Sequence, residues 1–329
     1  MANKNYMLTI SSSPHFHSPV TTQTIMRDVI IALLPALAGS VYFFGFRALT
    51  VTLVSVLSCV VFEWGWCVIR KSPNKLNDLS CVVTGMLLAF VCPVTIPYWA
   101  IAIGAFFAII VVKMLFGGIG LNIVNPALAG RAFMFSWTPL MTTWIKPGFQ
   151  NAASVLGDVE IVAGATPLAE KGQMLADVSL LDMFLGNIGG CIGETSAVLL
   201  LIGFGYLLIR KVVTLHIPLA FIGTVAVLTF LFPKDGDNLT WMTYQLLSGG
   251  LMLGALFMAT DYVTSPVTRL GQVCFGIGCG LVTVIIRYFG GYPEGVSYAI
   301  LVMNCAVVLF DRIGRNVRYG APKKEAAKK

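Results

Sequence analysis

Polar and charged residues along this chain are gathered between long apolar blocks. Ten such blocks stand out, at 28–46, 49–69, 79–92, 97–116, 122–137, 193–210, 213–232, 246–261, 271–287 and 293–310. A helix needs about 20 residues to cross a hydrocarbon layer of ~30 Å. The blocks therefore predict an all-α polytopic membrane protein with about ten transmembrane helices. The third block ends at Pro93 and Pro97 after about 14 apolar residues, and the eighth runs into Asp261 and Pro266. Segments this short predict half-helices buried inside the bundle, where protein groups rather than lipid receive their free backbone ends.

Composition agrees with the pattern. Apolar residues make up 57% of the 329 positions and charged residues only 11%, against roughly 25% charged in soluble domains. These figures exclude an ordinary soluble domain, a disordered chain and a disulfide-stapled secreted module. The 8 cysteines lie mostly within the blocks and show no CxxC spacing, so they read as apolar packing groups.

Basic residues near span ends are retained on the cytoplasmic side. With the N-terminus inside, 16 of the 22 Lys and Arg fall on inner segments, 5 fall on outer ones, and Arg131 lies within a span. Both termini are thus expected in the cytoplasm, with 138–192 facing outward. The stretch Ala36-Leu37-Ala38 has the small-x-small form of a signal cleavage site but reads better as helix packing.

Two short matches share one offset. Pro93-Val94-Thr95 recurs as Pro266-Val267-Thr268, and Phe116-Gly117-Gly118 as Phe289-Gly290-Gly291, both 173 residues later. Dividing the chain there gives five spans and five, and an odd number of crossings turns the second copy over. The expected architecture is two inverted five-helix repeats with broken half-helices. Its parts are an N-terminal segment 1–27, a first repeat 28–137, an outward loop 138–192, a second repeat 193–311 and a basic tail 312–329. The glycines of Gly276-x-Gly278-x-Gly280 and Gly249-Gly250-x3-Gly254 are expected at helix contacts.

The outward loop carries Asp158, Glu160, Glu170, Asp177 and Asp182 against Lys146 and Lys171, so it is mildly acidic. Loops of that length are usually functional. Within it, Gly164 and Ala165 leave the hydroxyl of Thr166 accessible, and Pro167 biases Thr166 toward an extended backbone. By spacing alone the stretch reads as a plain turn.

Charges inside spans mark ion or substrate paths, because placing one in a bilayer costs at least ~2.5 kcal/mol. Glu63, Arg131, Glu194 and Asp261 are the candidates. Asp261 ends a short span, where a half-helix end can coordinate a cation, and Arg131 is its expected partner across the repeat interface. Glu63 and Glu194, near span ends, are expected to reach water. His15-x-His17 lacks a third ligand and reads as structural. The tail from Arg312 has seven basic residues and one acidic residue, a solvated stretch near anionic lipid with no nucleic-acid motif.

Gly164-Ala165-Thr166 resembles the Ser/Thr-Gly-Ala-Thr motif at which the RnfD and NqrB family of membrane subunits carries FMN. Further stretches resemble the same family. They are Ser13-Pro14-His15-Phe16-His17-Ser18, the run from Ile25 to Ala36, the run from Asn125 to Phe133, and the run from Phe257 to Pro266. Together they reach from about residue 13 to 311. Length and the compact N-terminus are closer to RnfD than to NqrB. Ala163 departs from the family, which usually has Ser or Thr there. The resemblance implies FMN joined through its phosphate to Thr166, installed by a membrane-bound flavin transferase. It also implies a second, non-covalent riboflavin in some members.

On this resemblance the chain is a subunit of an Rnf complex in the bacterial inner membrane, with partners of the A, B, C, E and G types. That complex couples reduced ferredoxin and NAD to sodium or proton movement. The alternatives are an NqrB-like subunit of a sodium-translocating quinone reductase, or a flavin-free channel or secondary transporter. The chain carries no nucleotide-binding or iron–sulfur motif of its own, so it is not expected to act alone.

Overall fold

The computed structural model describes residues 20–71, 76–145, 168, 179–194, 196–290 and 294–312. His15, His17, Gly164, Ala165, Thr166 and the basic tail beyond 312 lie outside these residues, as do all the charged residues named in the loop except Asp182. The described elements are helical.

Helix α1 (Thr22–Phe44) opens with a capping box, in which the Thr21 hydroxyl accepts from the Thr24 amide. It turns at Gly45 into α2 (Phe46–Ile69). Then come α3 (Ser80–Phe90), α4 (Tyr98–Met114) and α5 (Pro126–Met134). The second part holds α6 (Ala197–Ile209), α7 (His216–Leu231), α8 (Asn238–Leu247), α9 (251–258), α10 (Arg269–Phe289) and α11 (Val296–Cys305). Among the described residues, only α1, α2 and α10 are both long and apolar enough to cross a membrane unaided, at 23, 24 and 21 residues. Their outward faces carry exposed Leu, Ile, Val and Trp, as a lipid-facing surface does. The helix α8 falls in a stretch read from sequence as a connection.

Half-helix α3 is buried along nearly its whole length. Its C-terminal carbonyls have no helical partners left, and in an apolar interior each unpaired one costs several kcal/mol. A turn at 191–194 supplies the donors. The Gly193 amide reaches the Phe90 carbonyl at 2.9 Å, the Ile192 amide that of Cys92 at 3.0 Å, and the Cys191 thiol that of Val91 at 3.3 Å. Arg47 of α2 donates to the Val94 carbonyl beyond it at 3.0 Å.

The short α9 ends in a wide i→i+5 turn, Ala259 amide to Gly254 carbonyl at 2.7 Å. The Met258 carbonyl there accepts from Asn125 Nδ2 at 3.3 Å. The same Asn125 caps α5 with its side-chain oxygen, and Pro126 follows at the first helical position, where a missing amide costs nothing. One residue thus joins the end of one broken helix to the start of another. A similar wide turn, Leu115 amide to Ile110 carbonyl, interrupts α4 around Lys113. Such turns often mark functional positions.

Candidate functional site

Two groups of buried charges sit where the broken helices meet. In the first, Arg131 of α5 is 2% exposed and donates from Nη1 to Ser297 Oγ at 2.7 Å and to Glu194 Oε1 at 3.4 Å. Its Nη2 is paired with Glu294. The partners come from the turn before α6 and from the start of α11, so one guanidinium ties three separate segments. The fork geometry of arginine permits this, and a lysine would serve only one carboxylate well. Glycine at 250 makes room, because a Cβ there would fall on the Glu194 carboxylate.

Beside this group lies Arg287, near the end of α10 and 5% exposed. It donates to the Gln245 carbonyl at 2.6 Å and to that of Ser248 at 3.0 Å, where a cation complements the C-terminal end of α8. The four charges sum to zero. Glu194 Oε2 and the Nε atoms of both arginines are buried without a hydrogen-bond partner.

One donor atom each from Cys191, Glu194 and Glu294 lie within 4.8 Å of one another, a spacing open to a metal ion. Arg131 already pairs with both carboxylates, however, and a bound cation would have to displace it and leave it unpaired in the interior. Breaking a buried pair in that way costs about 3–5 kcal/mol. The set is a salt-bridge network.

The second group joins α2, the start of α3 and α4. Lys113 Nζ meets Glu63 Oε2 at 2.6 Å and Ser80 Oγ at 2.7 Å, and the Ser80 hydroxyl donates on to Asp78 at 2.7 Å. Lys113 also lines a cavity with Ser80, Thr84, Asn122, Asn125 and Asp261. The Asp261 carboxylate accepts the Thr264 hydroxyl at 3.1 Å. Among the described residues no cation lies within ion-pair distance of it.

The structure corrects three expectations. Arg131 and Asp261 are not partners, since Arg131 is taken up by Glu194 and Glu294. Glu63 and Glu194 do not reach water but are buried and paired. Lys113 and Arg287, counted as span-end cations, are internal. Sequence reading missed them as well as Glu294. A signal was present, because Lys113 stands three residues before Phe116-Gly117-Gly118 and Arg287 two residues before its repeat, Phe289-Gly290-Gly291.

Leu168, two residues beyond Thr166, is buried against Gly249, whose φ of +63° favours glycine. A Cβ on Gly249 would meet Leu168 Cδ1 at 2.7 Å, Arg287 Nη2 at 3.5 Å and Glu294 Cγ at 3.7 Å. Leu168, Arg287 and Glu294 therefore converge on one backbone position.

Apolar helices broken in the interior, with neutralised charges at the breaks, define an integral membrane protein of the polytopic helical class. The chain belongs to the NQR2, RnfD, RnfE family, whose model matches residues 9–320. It is 46% identical to the D-type subunit of the Na(+)-translocating ferredoxin:NAD(+) oxidoreductase complex of Acetobacterium woodii, over 96% of each chain. It is 41% identical to the D-type subunit of the proton-translocating ferredoxin:NAD(+) oxidoreductase complex of Clostridium ljungdahlii, over 96% of this chain and 97% of that one. Identity to the D-type subunit of the ion-translocating oxidoreductase complex of Stutzerimonas stutzeri is 38%, over 90% and 91%.

Proposed function

We propose that this protein is the flavin-carrying membrane subunit of an Rnf-type electron transport complex. It assembles with the other Rnf subunits and relays electrons through FMN held covalently on Thr166, in ferredoxin:NAD oxidoreduction coupled to sodium or proton movement. The observation that carries the reading is Gly164-Ala165-Thr166 within a chain alignable almost end to end with the D-type subunits of two ferredoxin:NAD(+) oxidoreductase complexes. A bound flavin would supply the electron-carrying chemistry. The chain's own part is to fix where the flavin sits and what charge surrounds it.

The inverted five-plus-five plan is part of the proposal. Helices begin in matched order at Thr22 and Ala197, Phe46 and His216, Ser80 and Leu251, Tyr98 and Arg269, and Pro126 and Val296, offsets of 170 to 175 residues. That spacing supports repeats at 28–137 and 193–311, with the flavin loop 138–192 on the outer side and both termini in the cytoplasm. Asp261 is the ion-path candidate we favour, being an acid without a protein counter-cation among the described residues, on a cavity lined from both halves. Arg131, the other ion-path candidate, is instead held in a structural network by Glu194 and Glu294.

The test uses the full chain expressed with its flavin transferase and run on a denaturing gel under ultraviolet light. A fluorescent wild-type band that is lost in Thr166→Ala is expected. A dark wild-type band, with the transferase active on another acceptor, would overturn the reading and favour a flavin-free transporter.

A further inference from the structure

We propose that the break after α9 is a binding site for a monovalent alkali cation, with Asp261 as its charged ligand, and that Asn304 is the residue that keeps this site open. The proposal rests on the reading of Asp261 as an ion-path residue. It begins from a comparison of the two breaks. Beside the end of α3, the acid Glu194 is paired with Arg131 of α5. Helix α11 matches α5 in the order of the two halves, and at the 173-residue offset Arg131 falls on the buried Asn304. The two side chains reach across in the same way. Arg131 donates to Ser297 at the start of α11 at 2.7 Å, and Asn304, with its amide turned to suit its neighbours, accepts from the Asn125 amide at the start of α5 at 3.1 Å. The Asn304 nitrogen then donates to the Thr264 carbonyl at 3.1 Å, and the Thr264 hydroxyl donates to Asp261 at 3.1 Å. The position that carries a guanidinium at one break thus carries a neutral amide at the other.

An acid inside a bundle is stabilised by a counter-cation. At the α3 break the chain supplies one, and at the α9 break it leaves the place to a ligand. The cavity beside Asp261 offers oxygen. Thr84 and Thr260 line it, and each donates its hydroxyl proton to the carbonyl four residues back, at 2.9 and 2.8 Å, so what they have left for a ligand is oxygen lone pairs. Neither cysteine nor histidine is among the lining residues, and oxygen ligands without soft donors suit a hard cation. The end of a half-helix, with its unwound carbonyls, is a place where such ions are held. Charge selects the valence. Asp261 balances a single positive charge, and Lys113, the other ion on the cavity, is already paired with Glu63.

The experiment titrates the solubilised full chain with sodium chloride, and in parallel with potassium chloride, while choline chloride holds the ionic strength. The thermal midpoint is followed in wild type, Asp261→Asn and Asn304→Lys, because a ligand that binds only the folded chain raises it in step with the ligand's concentration. The wild-type midpoint is expected to rise with one of the two cations. Both variants are expected to stay flat, the first having lost the charged ligand and the second carrying a cation of its own at the site. A wild type that is flat in both salts, or a rise retained in either variant, would overturn the proposal. Should Asn304→Lys fail to accumulate, Asn304→Asp takes its place: a second acid should move the rise to lower salt, and an unchanged dependence overturns the role given to Asn304. The readout needs no turnover, so it separates this site from the ion path. Transport by the complex that survives Asp261→Asn, beside a wild-type midpoint that responds to the cation, would count against the path and not the site, whereas transport lost in Asp261→Asn beside a flat wild-type titration would count against the site and not the path.

Discussion

At the scale of single residues, the interior charges follow one rule: each buried cation has anionic or carbonyl partners drawn from a different segment. Lys113 illustrates what that is worth. Its ammonium is held by Glu63 at 2.6 Å with both side chains almost fully buried. Removing one member of such a pair strands the other and costs about 3–5 kcal/mol, whereas replacing both with apolar groups of similar size is often neutral. Glu63→Leu and Lys113→Met are each expected to lower the thermal midpoint of the solubilised protein markedly, and the double variant to recover most of the loss. A double variant as unstable as the sum of the singles would show that the pair contributes nothing as a pair. Glu63 was legible in the sequence as a charge within a span, whereas Lys113 was read as a span-end cation. Their pairing was hidden because fifty residues separate them.

At the scale of helices, close approach is set by glycines on one face. A Cβ on Gly276 would lie 2.8 Å from the Ile217 carbonyl oxygen and one on Gly280 would lie 3.0 Å from that of Phe221, so α10 is pressed against the backbone of α7. Gly278, between them, instead faces the flexible end of Met303, and Gly223 has nothing within 4 Å. Gly280→Ile is therefore expected to destabilise by at least about 1–3 kcal/mol, since backbone cannot yield as a side chain can. Gly223→Ala should be neutral or slightly stabilising through better helix propensity. Thermal unfolding monitored by circular dichroism in detergent checks both, and equal effects would refute this account of the contact. The placement of these glycines was readable from their spacing, and so were the two broken helices, from Pro93, Pro97 and Pro266. Two things were hidden. One was α8, whose Asn238, Thr240, Thr243 and Gln245 read as a connection until Arg287 is seen receiving its carbonyl end. The other was the turn at 191–194, because a segment whose task is to donate hydrogen bonds to a distant helix end carries no periodicity of its own.

For the whole molecule, the question is how the two halves are turned relative to the membrane. Arg131 reaches from α5 to Glu194 and to Glu294, and Asp28 of α1 accepts from Tyr206 of α6 and from Arg210 just beyond it, so the halves are tied at more than one level. With Lys113 and Arg287 removed from the loop count as buried residues, fifteen basic residues remain on the proposed inner side and four on the outer. The bias that orients the chain is thereby kept. If the repeats are inverted, the connection after α2 and the connection after α7, equivalent in the two halves, open to opposite sides. A cysteine placed at Lys71 should then react with a membrane-impermeant maleimide only in inside-out vesicles, and one placed at Asp235 only in right-side-out vesicles. Native cysteines interfere little, because those at 59, 67, 81, 92, 191 and 279 are buried, Cys274 is partly buried within α10 and Cys305 faces outward from an apolar helix, and the cysteine-retaining parent chain gives their background. Labelling of both positions from one side would mean that the 173-residue offset reflects a tandem rather than an inverted arrangement. The outer placement of Thr166 would then lose its basis, since the loop that bears it lies between the halves and its side is fixed by the number of crossings before it.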